Sequence, residues 1–175
     1  MSTFLVGSTS EYTVNNLTDY VYFVRSQAVE TCNDATEFRV YCSGSGNVKV
    51  AIYADDGGVL TGNSVRVGYN DSEQAVVSGW NNLTVSNSDI VDGNYYWLVV
   101  ISDADVVRRE TSGGTSRYGY KDHATYTFAD PLGVVEEGSL SVGSHLFSLA
   151  LYGEIGGSGT PLAVYLNQLR QQGVI

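Results

Sequence analysis

The sequence predicts an all-β protein: a two-sheet antiparallel β-sandwich of jelly-roll type with a short C-terminal helical tail. Three observations carry that expectation. The composition suits short strands joined by turns, with 20 Gly and 13 Tyr but only 2 Pro and 1 Met in 175 residues. Apolar residues alternate with period two in one short run after another, with Gly, Asn and Asp between the runs. The strongest run, Tyr95-Tyr96-Trp97-Leu98-Val99-Val100-Ile101, is apolar on both faces and is bounded by Asp92-Gly93 and Asp103. It predicts a central strand covered on both sides.

Taken in order, Phe4-Leu5-Val6 predicts an opening strand, and residues 7–10 turn the chain before Tyr12-Thr13-Val14. Tyr20, Tyr22 and Val24 alternate with Val21 and Phe23, a second strand apolar on both faces. Residues 30–34 are polar and read as a loop, after which Phe38, Val40 and Cys42 alternate with Arg39 and Tyr41. Val48, Val50 and Ile52 share a face opposite Lys49, Ala51 and Tyr53, and Asp55-Asp56-Gly57-Gly58 ends that strand in a tight turn. Val65, Val67 and Tyr69 alternate with an outward Arg66, and residues 74–77 and 80–85 make two more short strands before the central run. Val106-Val107 and residues 116–121 and 125–128 are weaker strands. Residues 146–152 close the sandwich, with Phe147, Leu149 and Leu151 on one face. A propeller would show an internal repeat, and none is visible.

The succession Val50-Ala51-Ile52-Tyr53-Ala54-Asp55-Asp56-Gly57-Gly58-Val59-Leu60, then Gly79-Trp80-Asn81-Asn82-Leu83, Asp92-Gly93-Asn94-Tyr95-Tyr96-Trp97-Leu98 and Phe147-Ser148-Leu149-Ala150-Leu151-Tyr152-Gly153 resembles the jelly-roll β-sandwich modules. Such modules are similar to carbohydrate-binding modules and occur on secreted enzymes, surface proteins and virion proteins. The resemblance covers residues 40–155 and implies fold more strongly than function. It implies glycan binding, structural calcium or architecture alone, and assigns Trp80, Tyr95, Tyr96 and Trp97 to packing.

The sandwich is expected to occupy residues 1–155, followed by a linker and docking helix in residues 156–175. Gly156-Gly157-Ser158-Gly159 reads as flexible, and Thr160-Pro161 supplies an N-cap and a proline at the first helical position. Leu162, Tyr165, Leu166 and Leu169 then form one apolar stripe, Gly173 stops the helix, and Val174-Ile175 ends the chain. A helix this short gains stability by docking, so these six apolar residues are the expected partner contacts, on this sandwich or on another subunit of a homo-oligomer.

The formal net charge of −10, from 19 acidic and 9 basic residues, argues against nucleic acid as a ligand. No apolar stretch approaches the ~20 residues of a membrane span. The start Met1-Ser2-Thr3-Phe4-Leu5-Val6-Gly7 lacks a basic, apolar secretory signal. Cys32 and Cys42 are expected as free buried thiols, with a disulfide as the alternative, and their spacing does not suit zinc.

Catalysis finds little support. His123 and His145 stand outside any nucleophile or metal motif and read as turn or surface residues; carboxylate pairs occur at Asp55-Asp56, Asp103/Asp105 and Glu136-Glu137. No cofactor is expected. Structural calcium is the one ion for which the chain offers ligands, at Asp55, Asp56, Asp103 and Asp105, although ordinary turn chemistry is the better explanation of those residues. For glycans, Tyr118 and Tyr120 share a strand face, with Arg117 nearby and Tyr126 on a following strand. The expected function is therefore a non-catalytic structural or binding protein. A virion-surface subunit (phage decoration, head-fibre or tail accessory) comes first, a carbohydrate-binding module of a secreted or cell-surface protein second, and a glycan-active enzyme third.

Overall fold

In the computed structural model, residues 2–155 are described. In chain order they form β1 (Ser2–Gly7), β2 (Val14–Asn15), β3 (Tyr20–Gln27), β4 (Cys32–Cys42), β5 (Gly46–Ala54), β6 (Arg66–Val76), β7 (Gly79–Ile90), β8 (Tyr95–Ser102), β9 (Arg108–Glu110), β10 (Ser116–Tyr120), the one-turn helix α1 (Val134–Gly138), β11 (Ser141–Gly143), β12 (Leu146–Phe147) and β13 (Leu149–Glu154). The expected tail helix, with Leu162, Tyr165, Leu166, Leu169, Val174 and Ile175, lies outside the described residues.

The fold is an antiparallel all-β sandwich. A four-stranded sheet in the order β1-β13-β4-β7 faces a six-stranded sheet in the order β11-β10-β3-β8-β5-β6, and a small sheet, β12-β9-β2, stands at one side. The inner core lies between the two large sheets. Leu5, Phe38, Val40, Leu83, Leu149 and Leu151 of one sheet meet Tyr22, Val24, Val50, Ile52, Leu98 and Val100 of the other. The central run is β8, hydrogen-bonded to β3 on one side and β5 on the other.

The period-two alternation sends the remaining residues of β3, β5 and β8 to the opposite face, and most of these are just as buried. Val21, Phe23, Ala51, Tyr53, Trp97, Val99 and Ile101 form a second core, closed by Leu60, Phe128, Leu132 and Leu140. Its cover is a strap, residues 121–140, that leaves β10, crosses the sheet to the start of β6 and returns through α1 to β11.

Lys49, on the outer face of β5 and only 4 % exposed, anchors the near end of the strap. Its Nζ donates to the carbonyls of His123 (2.7 Å), Tyr126 (3.1 Å) and Ala124 (3.4 Å), so one ammonium satisfies three carbonyls of one turn. At the far end Phe128 N–H donates to Asp71 (2.9 Å), Leu132 N–H to the Ser64 carbonyl (3.1 Å) and Gly133 N–H to the Gly62 carbonyl (2.8 Å). The approach at Gly62 admits no side chain, because a Cβ there would stand 2.5 Å from Val134 N.

Several expectations need correction. Residues 32–34 belong to β4, whose pairing shifts register at Cys32/Ala35 and Ala35/Glu37, so the alternation is broken where a loop was expected. Residues 74–76 continue β6 rather than starting a new strand. Residues 125–128 are strap, not strand, with polar groups going to Lys49, Asp71 and Arg66 instead of a ladder. Arg66 does not point to open solvent; it donates to the Phe128 carbonyl and stacks 3.5 Å from the Tyr69 ring centre. Cys32 and Cys42 are free and buried, as expected, and burial pushes the Cys42 thiol up to about 12.

Side-chain amides join the two large sheets at one corner. Thr84 N–H donates to Gln74 Oε1 (2.8 Å) while Gln74 Nε2 donates to the Thr84 carbonyl (3.2 Å). Likewise Val77 N–H donates to Asn81 Oδ1 (2.9 Å) and Asn81 Nδ2 to the Val77 carbonyl (2.8 Å). Each amide reproduces the donor and acceptor of a strand backbone.

Lys49→Met keeps an apolar stem of similar length but removes the donor shared by three carbonyls. It is expected to lower unfolding stability by about 1–3 kcal/mol in urea denaturation, and an unchanged midpoint would show that the strap is held by other contacts.

Candidate functional site

The tyrosine face is real but smaller than the sequence suggested. Tyr118 and Tyr120 of β10 stand opposite Tyr22 and Tyr20 of β3, and the four rings share one side of the sheet. They descend from solvent to core. Tyr120, 66 % exposed, meets Tyr20 edge-on at 5.9 Å; Tyr20 lies 6.4 Å from Tyr118; and Tyr118 stacks at 5.7 Å on Tyr22, which is 1 % exposed. His145 packs edge-on against Tyr118 at 5.1 Å, and Phe147 meets Tyr22 at 4.8 Å. The inner rings are packing, and Tyr120 alone of the four is largely open to solvent.

Arg117 and Tyr126 do not join that face. Arg117 pairs in register with Phe23, so the pleat carries it to the opposite side of β10. Tyr126 lies in the strap, edge-on to Phe128 at 5.3 Å, with its hydroxyl donating to Glu136 (3.1 Å). Burial and the Glu136 charge push that phenol far above its ordinary range.

The four aspartates considered for calcium each accept hydrogen bonds that hold loops. Asp56 accepts from the Thr61 hydroxyl (2.7 Å), Asp103 from the Asn47 N–H (2.7 Å) and amide (2.8 Å), and Asp105 from the Thr18 N–H and hydroxyl (2.7 Å). Asp55 and Asp103 sit at opposite ends of β5. Among the described residues, no three His, Cys, Asp or Glu side chains are placed to hold a metal ion. Glu136 pairs with Lys121 (2.7 Å), and Glu137 accepts from Gly62 N–H (3.1 Å).

Both histidines lie in turns or connections, as expected, but His123 is buried and His145 half-buried. His145 Nδ1 is 3.1 Å from Ser116 Oγ, a serine–histidine contact without a usable nucleophile: Ser116 is 1 % exposed, and its oxygen also accepts the His145 N–H (3.0 Å). His123 is 2 % exposed, with Nε2 unpartnered among the described residues and Nδ1 3.7 Å from Glu73. Burial first, and then the Lys49 charge, holds it below the usual histidine value, although Asp19, Asp103 and Glu73 act the other way.

The most organised polar cluster was not anticipated. It is the end of the second-core face that extends past the strap, where alternation brings Arg25, Asp55, Tyr95 and Trp97 together. Arg25 Nε and Nη2 grip Asp55 Oδ1 and Oδ2 at 2.9 and 3.0 Å, Trp97 Nε1 donates to Oδ1 (2.8 Å), and Gly58 N–H to Oδ2 (2.9 Å). The guanidinium lies 3.8 Å from the Tyr95 ring centre. Burial works to raise the Asp55 pKa, but the Arg25 hydrogen bonds and charge, helped by Gly58 and Trp97, hold it below its ordinary 3.8. Parity along β3 and β8 was the one sequence signal: Phe23 and Arg25 share a face, as do Tyr95 and Trp97. The pairing of Arg25 with Asp55 across separate strands left no local pattern.

No protein-family model matches the chain, and a search of the curated proteins finds no match.

Two pH dependences follow. The Asp55 carboxyl titrates lower in the folded than in the unfolded chain, so its stabilisation is complete above its ordinary value and is lost as pH falls through the folded value. Asp55→Asn is expected to lower the thermal midpoint at pH 7, with the gap to the parent narrowing below about pH 4; a gap independent of pH would assign the loss to packing. The depressed His123 value means that the unfolded chain takes up its proton first, so stability falls as pH drops below 6.5. His123→Leu should flatten that slope between about pH 6.5 and 5, and an unchanged slope would place its origin elsewhere.

Proposed function

We propose that the chain is a non-catalytic structural and binding subunit, displayed as a β-sandwich on the outside of a larger assembly of the virion type. The carrying observation is how the ionisable groups are used. The carboxylates weighed for chemistry, Asp55, Asp56, Asp103, Asp105, Glu136 and Glu137, each hold an internal donor, and the Ser116–His145 contact is closed to substrate. The Tyr-, Gly-, Ser- and Asn-rich composition and the apolar stripe of the tail support the assembly setting. Glycan binding is the second reading, favoured by the exposed Tyr120 ring at the end of the tyrosine ladder.

Size-exclusion chromatography with light scattering on the full chain and on a version ending at Glu154 tests the first reading. The full chain is expected to be oligomeric and the shortened one monomeric at equal stability. Two monomers of equal stability would overturn the assembly reading.

A further inference from the structure

The cavity of about 400 Å³ beside the Asp55 cluster has features that internal packing does not require. Arg25, Asp55, Gly58, Asn94 and Tyr95 line it, between the turn after β5 and the turn before β8. Asp55 takes four donors and has no lone pair to spare; its side chain is 9 % exposed. It therefore acts by fixing the guanidinium. One edge of Arg25 is held by Asp55 and one face lies on Tyr95, which leaves Nη1 with no hydrogen bond among the described residues. Such a fork is pre-organised, so little rotamer entropy is lost when it engages a second group.

The backbone of Asn94, in the same lining, is also held. Asn94 donates its N–H to the Val91 carbonyl (3.2 Å) and accepts the Ala28 N–H at its own carbonyl (2.8 Å), while its side-chain amide makes no hydrogen bond among the described residues. That amide supplies one acceptor and two donors at the rim. Tyr95, 38 % exposed, adds apolar ring surface, and Gly58, at φ 98, has no side chain to fill the space.

Charge selects the ligand class. Asp55 already neutralises Arg25, and the chain carries −10 overall, so a carboxylate or phosphate would meet a neutral pair in an acidic protein. Paired donors, an amide and part of an aromatic ring instead suit adjacent uncharged hydroxyls on a small ring. We propose that this cavity binds an uncharged, hydroxyl-rich ring of monosaccharide size, with Arg25 and Asn94 bonding its hydroxyls and Tyr95 covering its apolar side. The proposal rests on the glycan-binding reading above but places binding on the face opposite the tyrosine ladder.

The test is retention of the full chain on a panel of neutral and acidic glycans, followed by calorimetric titration with the best neutral sugar. Asn94→Ala, Arg25→Lys and Tyr120→Ala are compared, with thermal midpoints as the folding control. Neutral glycans are expected to be retained, and Asn94→Ala to weaken binding at least tenfold with an unchanged midpoint. Arg25→Lys should weaken it further. Retention lost only in Tyr120→Ala would overturn this site while keeping the glycan reading. Preference for acidic glycans would overturn the ligand class, and no retention at millimolar sugar would overturn both the site and the glycan reading. The assembly reading is judged separately by light scattering.

Discussion

Lys49 carries a full charge into the outer layer of the molecule, and the cover of the six-stranded sheet depends on it. A buried ammonium is costly unless each proton has a partner, and the turn at residues 123–126 supplies three carbonyls that the sheet itself leaves without donors. The same contact thus solves two desolvation problems. It allows Phe128, Leu132 and Leu140 to close over Phe23, Tyr53 and Trp97, large rings that would otherwise face water. Two-sided burial of β8 is the result, and the inner core gains a rigid sheet to pack against.

That arrangement was half legible in the sequence. The apolar character of both faces of residues 95–101 required a cover on each side, and the alternation in residues 20–24 and 48–53 agreed. What provided the second cover was hidden. Residues 121–140 carry no period, because their polar groups are satisfied by Lys49, Asp71 and Arg66 from distant strands rather than by a regular ladder. Parity placed Tyr118 and Tyr120 on one face correctly, whereas Tyr126 required the path of the strap to be known. Asp55 looked like turn chemistry, and its bond to Gly58 is that; its bonds to Arg25 and Trp97 depend on how three strands align.

One face of one sheet therefore ends in two different ways. Along β5 and one residue past its end, Lys49, Ala51, Tyr53 and Asp55 follow each other at period two. At the Lys49 end the strap seals the row, and the ammonium is matched inward by three carbonyls. At the Asp55 end the strap stops short, the row runs on into Arg25 and Tyr95, and a cavity opens where the cover is missing. The side chains that hold the sheet together also set the shape of its open end.

The amides of Gln74 and Asn81 have a further consequence for how copies of this protein can meet. By pairing with Thr84 of β7 and with Val77, in the turn between β6 and β7, they occupy main-chain groups where these two edge strands meet, groups that would otherwise be available to a foreign strand. The other two edges of the large sheets are β1 and the three-residue β11. β1 is interrupted by a register shift between Phe4 and Val6. Ribbon-like polymerisation through continuous sheets is therefore disfavoured, and a sandwich displayed at high local density can stay separate from its neighbours.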